Sequence, residues 1–208
     1  MPVDPQTLTA RQYARRERII QAGQSLLQDR AFDQIQVRDV AAQADVALST
    51  VYRYFASKEH LFAAVFLAWH STMRSSAPVP AGNPEEAAAW LDRVTHLAIR
   101  SYELHPHFYP VLVMISRSTD PHVRAIARLT TRDGERIFAE PLEGLDPEDR
   151  AAIVNVIGST LHVSLGNWLA GTTPIDDVYA TMRRVIRLLR LTPVEAARPA
   201  GETTTRGV

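Results

Sequence analysis

Residues 37–61 have the sequence VRDVAAQADVALSTVYRYFASKEHL, and this stretch decides the fold. Its first apolar residues recur at helical spacing, which predicts a short helix over 37–44. The turn at 45–47 follows, and a second short helix is predicted over 48–54. Two short helices joined by a tight turn can place the second helix in the major groove of DNA, which is wide enough to admit it. An ordinary three-helix core is the alternative that this pattern leaves open.

The second predicted helix presents small, hydroxylated or hydrogen-bonding side chains at its exposed N-terminal end. Such groups can hydrogen-bond to base edges or to phosphates. A first helix, predicted over 9–29, carries arginines near its start and an apolar stripe, and it would complete a three-helix unit. The residues that we expect to face DNA from the second short helix are Leu48, Ser49, Thr50, Tyr52 and Arg53.

The stretch closely resembles the signature of the TetR family of transcriptional regulators. The resemblance spans residues 11–66 and is most specific at TVYRYF (50–55) and SKEHL (57–61). It implies that Tyr52 and Lys58 contact DNA phosphates, with Lys58 at a helix N-terminus whose amides add to the attraction.

The resemblance also assigns structural roles to neighbouring residues. Phe55 and Leu61 would lie in the core, and Ser57 would cap the N-terminus of the fourth helix. The last residue of the second short helix and residues beside that helix extend the predicted DNA-contacting surface, and these are Tyr54, Arg16, Gln36, Arg38 and Lys58.

Three positions depart from the family pattern. Asp45 stands where the family usually has Gly, and Asp tolerates left-handed backbone geometry better than most residues. Ala47 replaces the usual Ser cap and forgoes roughly 1 kcal/mol of capping free energy. Gln36 replaces a common Thr and could still reach a phosphate. Asp45 and Ala47, together with YRYF (52–55) and WLA (168–170), resemble the subgroup that controls steroid and cholesterol catabolism.

The rest of the sequence predicts only helices. A capping residue followed by Pro stands at 83–84, 120–121, 146–147 and 173–174. Pro is tolerated at the first helical position because the amide there has no intrahelical partner. No stretch alternates apolar and polar residues as a strand does. The predicted fold is all-α, with about nine helices, over 9–29, 37–44, 48–54, 58–76, 84–104, 106–117, 121–143, 147–170 and 174–191.

Two prolines inside these helices, Pro110 and Pro141, should kink or end them. The predicted organisation is a helix-turn-helix DNA-binding domain at 1–56 and a ligand-binding and dimerisation domain at 57–191. Residues 192–208, which are rich in Pro, Ala, Thr, Gly and Arg, are predicted to form a disordered tail.

The second domain holds large aromatic residues that could line a pocket. The resemblance implies a pocket among helices 4 to 8, and an apolar lining suits a hydrophobic effector. Ordinary core packing is the alternative for each residue. The predicted ligand-binding residues are Trp69, Met73, Trp90, Tyr102, Phe108, Tyr109, Met114, Phe138 and His162.

The last two helices are the predicted dimer surface. Small residues along helix 8 would allow two helices to approach closely, and the resemblance implies a four-helix interface here. Intramolecular core is the alternative. The predicted interface residues are Ile157, Leu161, Leu165, Trp168, Met182 and Ile186.

The amino-acid composition limits the kinds of protein that this chain can be. The 23 basic and 23 acidic residues give a formal net charge of zero, which says nothing about DNA binding because charge on one face is what matters. The sequence has no Cys, which excludes disulfides and fits the cytosol. No run approaches the ~18 apolar residues of a membrane span, and no secretory signal is evident. We therefore expect a cytoplasmic protein without a membrane partner.

The sequence lacks the motifs that usually carry enzyme catalysis. His105-Pro106-His107 has no third ligand nearby, and no Gly-rich phosphate loop or nucleophile elbow occurs. We expect no catalysis, no metal and no cofactor. The hypothesis is a homodimeric repressor of a palindromic operator in double-stranded DNA, released by a small hydrophobic effector such as a steroid-like molecule or an acyl-CoA thioester. The alternatives are a DNA-binding dimer without a physiological small ligand, and a helical lipid-binding protein or enzyme.

Overall fold

The computed structural model describes residues 7–74, 84–139, 142 and 145–189. Within these residues there are nine α-helices and no strand, so the all-α prediction is confirmed. Asn83, Pro141 and the predicted tail at 192–208 lie outside the described residues. The helices are α1 (Ala10–Asp29), α2 (Val37–Gln43), α3 (Leu48–Tyr54), α4 (Lys58–Arg74), α5 (Pro84–Leu104), α6 (Phe108–Arg117), α7 (Pro121–Ala139), α8 (Pro147–Leu169) and α9 (Ile175–Leu188).

Two of the predicted caps begin their helices as expected. Asp120 Oδ1 accepts hydrogen bonds from the amides of His122 and Val123, at 2.7 and 3.2 Å, and thereby starts α7. Asp146 Oδ1 accepts from the Glu148 amide at 2.8 Å and starts α8.

Two other expectations about helix starts are wrong. Thr173 does not cap α9, because Pro174 itself is the N-cap and makes no side-chain cap hydrogen bond. Pro110 neither kinks nor ends α6, because the helix begins at Phe108 and places Pro110 in its first turn. The amides of a first turn have no intrahelical acceptor, so a proline there removes no hydrogen bond.

The head, residues 7–56, is the three-helix unit that the sequence predicts. Val37, Val40 and Ala41 of α2 are buried, as their spacing indicated. Asp45, in the turn between α2 and α3, has a φ of 51°. This left-handed conformation is the one that glycine adopts most readily and that Asp tolerates.

Helix α4 joins the head to the body, residues 84–189. Phe62 and Phe66 of α4 are fully buried, and α4 packs against α1 on one side and against α6 and α7 on the other. Gly23 of α1 lies so close to α4 that a Cβ at this position would stand 2.6 Å from Val65 Cγ2. Helix α4 is therefore in contact with both the head and the body.

The body is built from α5 to α9. Helix α5 packs against α9, and α8 packs against both α9 and α7. The core side chains of α8 and α9 include Ile157, Leu165 and Met182. None of the helices within the described ranges has the length and apolar character that a membrane crossing requires.

Candidate nucleic-acid interface and effector-binding body

Helix α3 has one buried face and one exposed face. Val51 and Tyr54 lie in the core of the head, and Phe55 is buried directly after the helix. On the opposite side Leu48 and Tyr52 are exposed, Tyr52 to 49%. Large hydrophobic side chains on a two-turn helix gain free energy when a partner covers them. Contact with thymine methyl groups or the DNA backbone is one way to cover them.

The polar residues of α3 accompany this exposed face. Ser49 and Arg53 are exposed, and Thr50 is half-buried. Ala47 is the N-cap and provides no side-chain acceptor, as its residue type predicted. The start of α3 therefore has no side-chain cap, and the Thr50 amide donates to the Ala47 carbonyl at 2.8 Å.

Tyr54 is not on this surface, and the prediction that it contacts DNA is wrong. Its side chain is 3% exposed, and its ring lies 6.5 Å from that of Phe55. The hydroxyl is buried and has no hydrogen-bond partner among the described residues. The physical reason is the helical period, because Tyr54 follows Val51 by three residues and shares its inward face.

Arg16 and Lys58 are less exposed than cationic side chains on a protein surface usually are. Arg16 pairs with Glu17 at 3.0 Å, lies 5.3 Å from the Phe55 ring centroid and leaves only 17% of its side chain exposed. Lys58 is half-buried, and its Nζ lies 4.4 Å from the centroid of the Phe32 ring. The contacts of Arg16 are therefore mainly within the head. Lys58 is the first residue of α4. Gln36 and Arg38, at the start of α2, are exposed.

His60 connects the end of the head to the body. Its Nδ1 accepts a hydrogen bond from the Ala56 amide at 3.0 Å, so the proton of the neutral ring is on Nε2. The ring stacks on His122 of α7, with centroids 4.9 Å apart and 11° between the planes. Burial, and then the neighbouring His122, lower the pKa of His60 to about 4. The ring is therefore neutral near pH 7.

Most of the predicted effector-binding aromatic residues meet in one aromatic cluster. Trp69 of α4 stacks on Phe108 of α6, with ring centroids 4.4 Å apart, and it also contacts Tyr102 at 5.2 Å. Tyr102 contacts Tyr109 at 5.9 Å, and Tyr109 lies 5.3 Å from His162. Burial raises the pKa of the Tyr102 and Tyr109 hydroxyls, so both groups are neutral donors.

The polar end of the aromatic cluster is fixed by one hydrogen bond. Tyr109 Oη donates to the backbone carbonyl of His162 at 2.7 Å and lies 3.3 Å from His162 Nδ1. Gly166, one turn along α8, allows this approach, because a Cβ there would stand 2.9 Å from Tyr109 Oη. The sequence pattern singled out Tyr109 and His162 separately, and the structure brings them together.

The other predicted lining residues are not part of the aromatic cluster. Trp90 Nε1 donates to the Ile137 carbonyl at 3.4 Å, next to Phe138. Trp90 and Tyr102 are on the same helix about 18 Å apart along its axis. Met114 and Phe138 are half-buried, and the side chain of Met73 lies outside the described part of the chain. Among the described residues, neither His105-Pro106-His107 nor any other segment is part of a group of three or more His, Cys, Asp or Glu residues that could hold a metal ion.

Five of the six side chains predicted for the dimer interface lie in the core of a single chain, so the prediction is wrong for these five. The sixth, Trp168, is half-buried. Helix α8 has a second apolar stripe that faces outward, with Val163 exposed to 59%, and Leu188 of α9 is exposed to 71%. Spacing alone could not distinguish the two stripes, because both fit a helical period. The buried residues are Ile157, Leu161, Leu165, Met182 and Ile186.

Comparison with known proteins agrees with this architecture. The profile of bacterial regulatory proteins of the tetR family matches residues 19–65, which contain all of α2 and α3. The HTH-type transcriptional repressor KstR of Rhodococcus jostii is 29% identical, over 86% of this chain and 84% of its own length.

Solved structures agree as well. A TetR transcriptional regulator from Rhodococcus sp. RHA1 is 25% identical, with a TM-score of 0.71 over 85% of this chain and 94% of that one. The transcriptional regulator FadR of Bacillus subtilis, in complex with stearoyl-CoA, shares the fold at 21% identity and a TM-score of 0.57, over 83% of this chain and 96% of its own. The helix-turn-helix geometry, the profile match and the similarity along most of the chain agree: residues 19–65 match the tetR family of bacterial regulatory proteins, and the chain as a whole is similar to transcriptional regulators of that family.

Proposed function

We propose that the protein is a repressor that binds an inverted-repeat operator in double-stranded DNA as a homodimer and is released by a small hydrophobic effector. Residues 1–56 would form the DNA-binding domain and residues 57–191 the effector-binding and dimerisation domain. The observation that carries the proposal is the exposed face of α3, on which Leu48 and Tyr52 remain in solvent. The similar KstR proteins are named transcriptional repressors, which supports the direction of regulation.

The contacts to DNA would divide into two groups. Leu48, Ser49 and Thr50 stand at the start of α3, where a recognition helix meets base edges. Tyr52 and Arg53, on the exposed side further along, would contact phosphates. Exposed or half-buried side chains at the starts of α2 and α4 would add to the phosphate contacts, and these are Gln36, Arg38 and Lys58.

A second copy of the chain would cover the outward face of α8 and α9. Ala152, Val156, Ser159 and Val163 are all exposed and follow one another at spacings of four and three residues. This spacing places them on one side of the helix, where Ala152, Val156 and Val163 form an apolar stripe that includes one hydroxyl, that of Ser159, and a stripe at this spacing can pack against a partner helix. Leu188 of α9 extends the exposed apolar surface. A dimer also fits sequence-specific DNA binding, because a single helix-turn-helix seldom buries enough surface against DNA to be specific.

The effector would bind at the aromatic cluster of Trp69, Tyr102, Phe108, Tyr109 and His162. Its rings are in contact, so a ligand must separate them, and the Tyr109 hydroxyl would become available as a polar anchor. An apolar, steroid-like molecule or an acyl-CoA thioester fits this chemistry. FadR, which shares the fold, is in complex with stearoyl-CoA. The resemblance of Asp45, Ala47 and residues 52–55 to the steroid-catabolism subgroup favours a sterol-like skeleton.

Helix α4 would transmit effector binding to the DNA-binding head. It carries Trp69 in the aromatic cluster and His60 at the contact with Ala56, about 13 Å apart along the helix axis. An effector that displaces Trp69 would move α4 and with it the head. It shifts the population only as far as its affinity for the two arrangements differs.

Fluorescence anisotropy with duplexes from the DNA flanking the chain's own gene tests the DNA-binding part. We expect sequence-specific binding that weakens as salt rises, and equal binding to a scrambled duplex would contradict it.

A thermal-shift screen with steroids, acyl thioesters and planar drugs tests the effector part. No hit together with tight operator binding would favour a dimer without a small ligand. Lipid binding without specific DNA binding would favour a helical lipid carrier.

A further inference from the structure

An open groove lies between the end of α6 and the N-terminal half of α7. Its volume is about 480 Å³, within the range of roughly 300–1,000 Å³ that small-molecule sites occupy. Ile115 lies on the α6 side, Ser118 in the turn, and Arg124 to Arg132 on the α7 side. None of the residues of the aromatic cluster borders it.

Three arginines of α7 line this groove from one direction. Arg124, Arg128 and Arg132 follow each other at intervals of four residues, so they share one face of the helix, with backbones about 6 Å apart from one to the next. All three are exposed. Within the described part of the chain, no carboxylate forms an ion pair with any of them. The chain as a whole is neutral, so this positive charge is a local feature.

The remaining lining suits a molecule that has both phosphate groups and an uncharged part. Arginine binds phosphate oxygens through two parallel N–H groups, and guanidinium groups one helical turn apart can bind neighbouring phosphates. The hydroxyl groups of Thr131 on α7 and of Ser118 in the turn add hydrogen-bonding capacity to the groove. Ile115 and Ala127 provide apolar surface for the uncharged part of the ligand.

Two simpler explanations fit the groove less well. Exposed arginines are often only solvated, but like charges at i and i+4 destabilise a helix by about 0.2–0.5 kcal/mol per pair. A bound anion would offset this cost. A DNA backbone could neutralise the same arginines, but they lie on α7 of the body, outside residues 19–65 that match the profile of the DNA-binding regulators.

The groove is also connected to the contact between the body and the head. Ser118 Oγ accepts a hydrogen bond from the Asp120 amide at 3.2 Å, and Asp120 caps α7 at His122. His122 stacks on His60, which accepts from the Ala56 amide. A ligand in the groove would therefore contact the turn that docks on the head.

We propose that this groove binds a small organic diphosphate, held by Arg124, Arg128 and Arg132, at a site separate from the aromatic cluster. Its binding does not rest on the proposed function, although occupancy would stabilise the turn beside His122. The shared chemistry is a diphosphate group on an organic carrier, which a nucleotide or coenzyme A could supply.

Isothermal titration of the full chain without DNA tests this site with three probes: inorganic pyrophosphate, ADP and coenzyme A. We expect saturable binding of ADP or coenzyme A that is tighter than that of pyrophosphate. The variant Arg124→Gln/Arg128→Gln should weaken it about tenfold or more. The matched control is Arg11→Gln/Arg15→Gln, which removes the same charge at the same spacing on α1 and should leave affinity within about twofold.

Several outcomes would overturn the proposal. These are no saturable binding of any probe, an equal loss in the control variant, or binding of pyrophosphate as tight as that of both organic probes. Loss of operator binding in the α7 variant, with diphosphate binding unchanged, would assign these arginines to DNA instead. Both substituted side chains are exposed, so the melting temperature should not change. Should the double variant unfold, Arg128→Lys keeps the charge but not the guanidinium fork, and it should still weaken binding about threefold.

Discussion

The head and the body use their aromatic residues in opposite ways. In the head, α3 leaves Tyr52 in solvent and buries Tyr54 two residues later. In the body, Tyr102 and Phe108 are buried and in contact with their neighbours. An exposed aromatic side chain is ready for a partner, whereas the body must separate packed rings before a ligand can enter. The comparison therefore predicts that DNA binding needs little rearrangement and that effector binding needs more.

The largest expected effect comes from the buried side of α3. Tyr54→Ala should lower the free energy of unfolding by about 3–5 kcal/mol, because it removes a buried ring and leaves a cavity. Tyr54→Phe should be neutral or stabilising, because the buried hydroxyl has no hydrogen-bond partner among the described residues. Urea denaturation measures both. A large loss of stability in Tyr54→Phe would contradict this reading of the buried hydroxyl.

The outward face of α8 gives the next largest effect. Val163→Glu should weaken self-association by about 2–4 kcal/mol, because it would bury a charge in the dimer. The unfolding free energy of the isolated chain should change little. Leu129→Glu on α7, which also replaces an exposed hydrophobic residue, is the matched control. Sedimentation equilibrium distinguishes them, and equal dissociation by both variants would contradict the assignment of this face.

The exposed side of α3 should affect binding without affecting folding. Tyr52→Ala should weaken binding to all DNA sequences about tenfold, because phosphate contacts carry no sequence information. Thr50→Val should instead change the preferred sequence. Stability should stay within about 0.5 kcal/mol for Tyr52→Ala, since the side chain is half exposed. Anisotropy titrations with operator and scrambled duplexes check this, and equal loss on every sequence from both variants would contradict the division of roles.

The smallest effect is a pH dependence at the junction of the two regions. The pKa of His60 is lowered from 6.5 to about 4, so between these values the unfolded chain binds a proton that the folded chain does not. The stabilisation is complete above pH 6.5 and is lost as the pH falls to about 4. Solvent screening of the partly exposed ring limits its size to about 1–2 kcal/mol.

A matched variant isolates this contribution. His60→Gln has no group that titrates in this range, so its unfolding free energy should depend less on pH between about 4 and 6.5 than that of the wild type. Denaturation at several pH values measures the difference. Parallel pH profiles of the two proteins would mean that His60 does not carry the effect.

The two regions also differ in how much their sequences predict. The amino-acid sequence of residues 37–61 was sufficient to predict α2, α3, the left-handed turn at Asp45 and the buried Phe55. The spacing of Val51 and Tyr54 could also have placed Tyr54 in the core, because three residues separate them on a helix. These features depend on local geometry, which a sequence pattern records directly.

The body depends on contacts that no local pattern records. Ile157 and Val156 are adjacent, and both belong to apolar stripes of α8, so the positions of the helices that pack on α8 decide which stripe is buried. His60 and His122 are distant in the chain, and their stacking follows from how α4 packs on α7. The arginine spacing of α7 is visible in the sequence, but the groove beside it requires the position of α6.

Hydroxyl-radical footprinting of the DNA flanking the chain's own gene tests the central claim, that α3 binds DNA from each subunit of a dimer, most directly. The account predicts two protected segments related by a dyad, with centres about one helical turn or a multiple of it apart. Both should fade together in Tyr52→Ala and persist in Tyr54→Phe. A single protected segment, or protection that is the same on scrambled DNA, would contradict it.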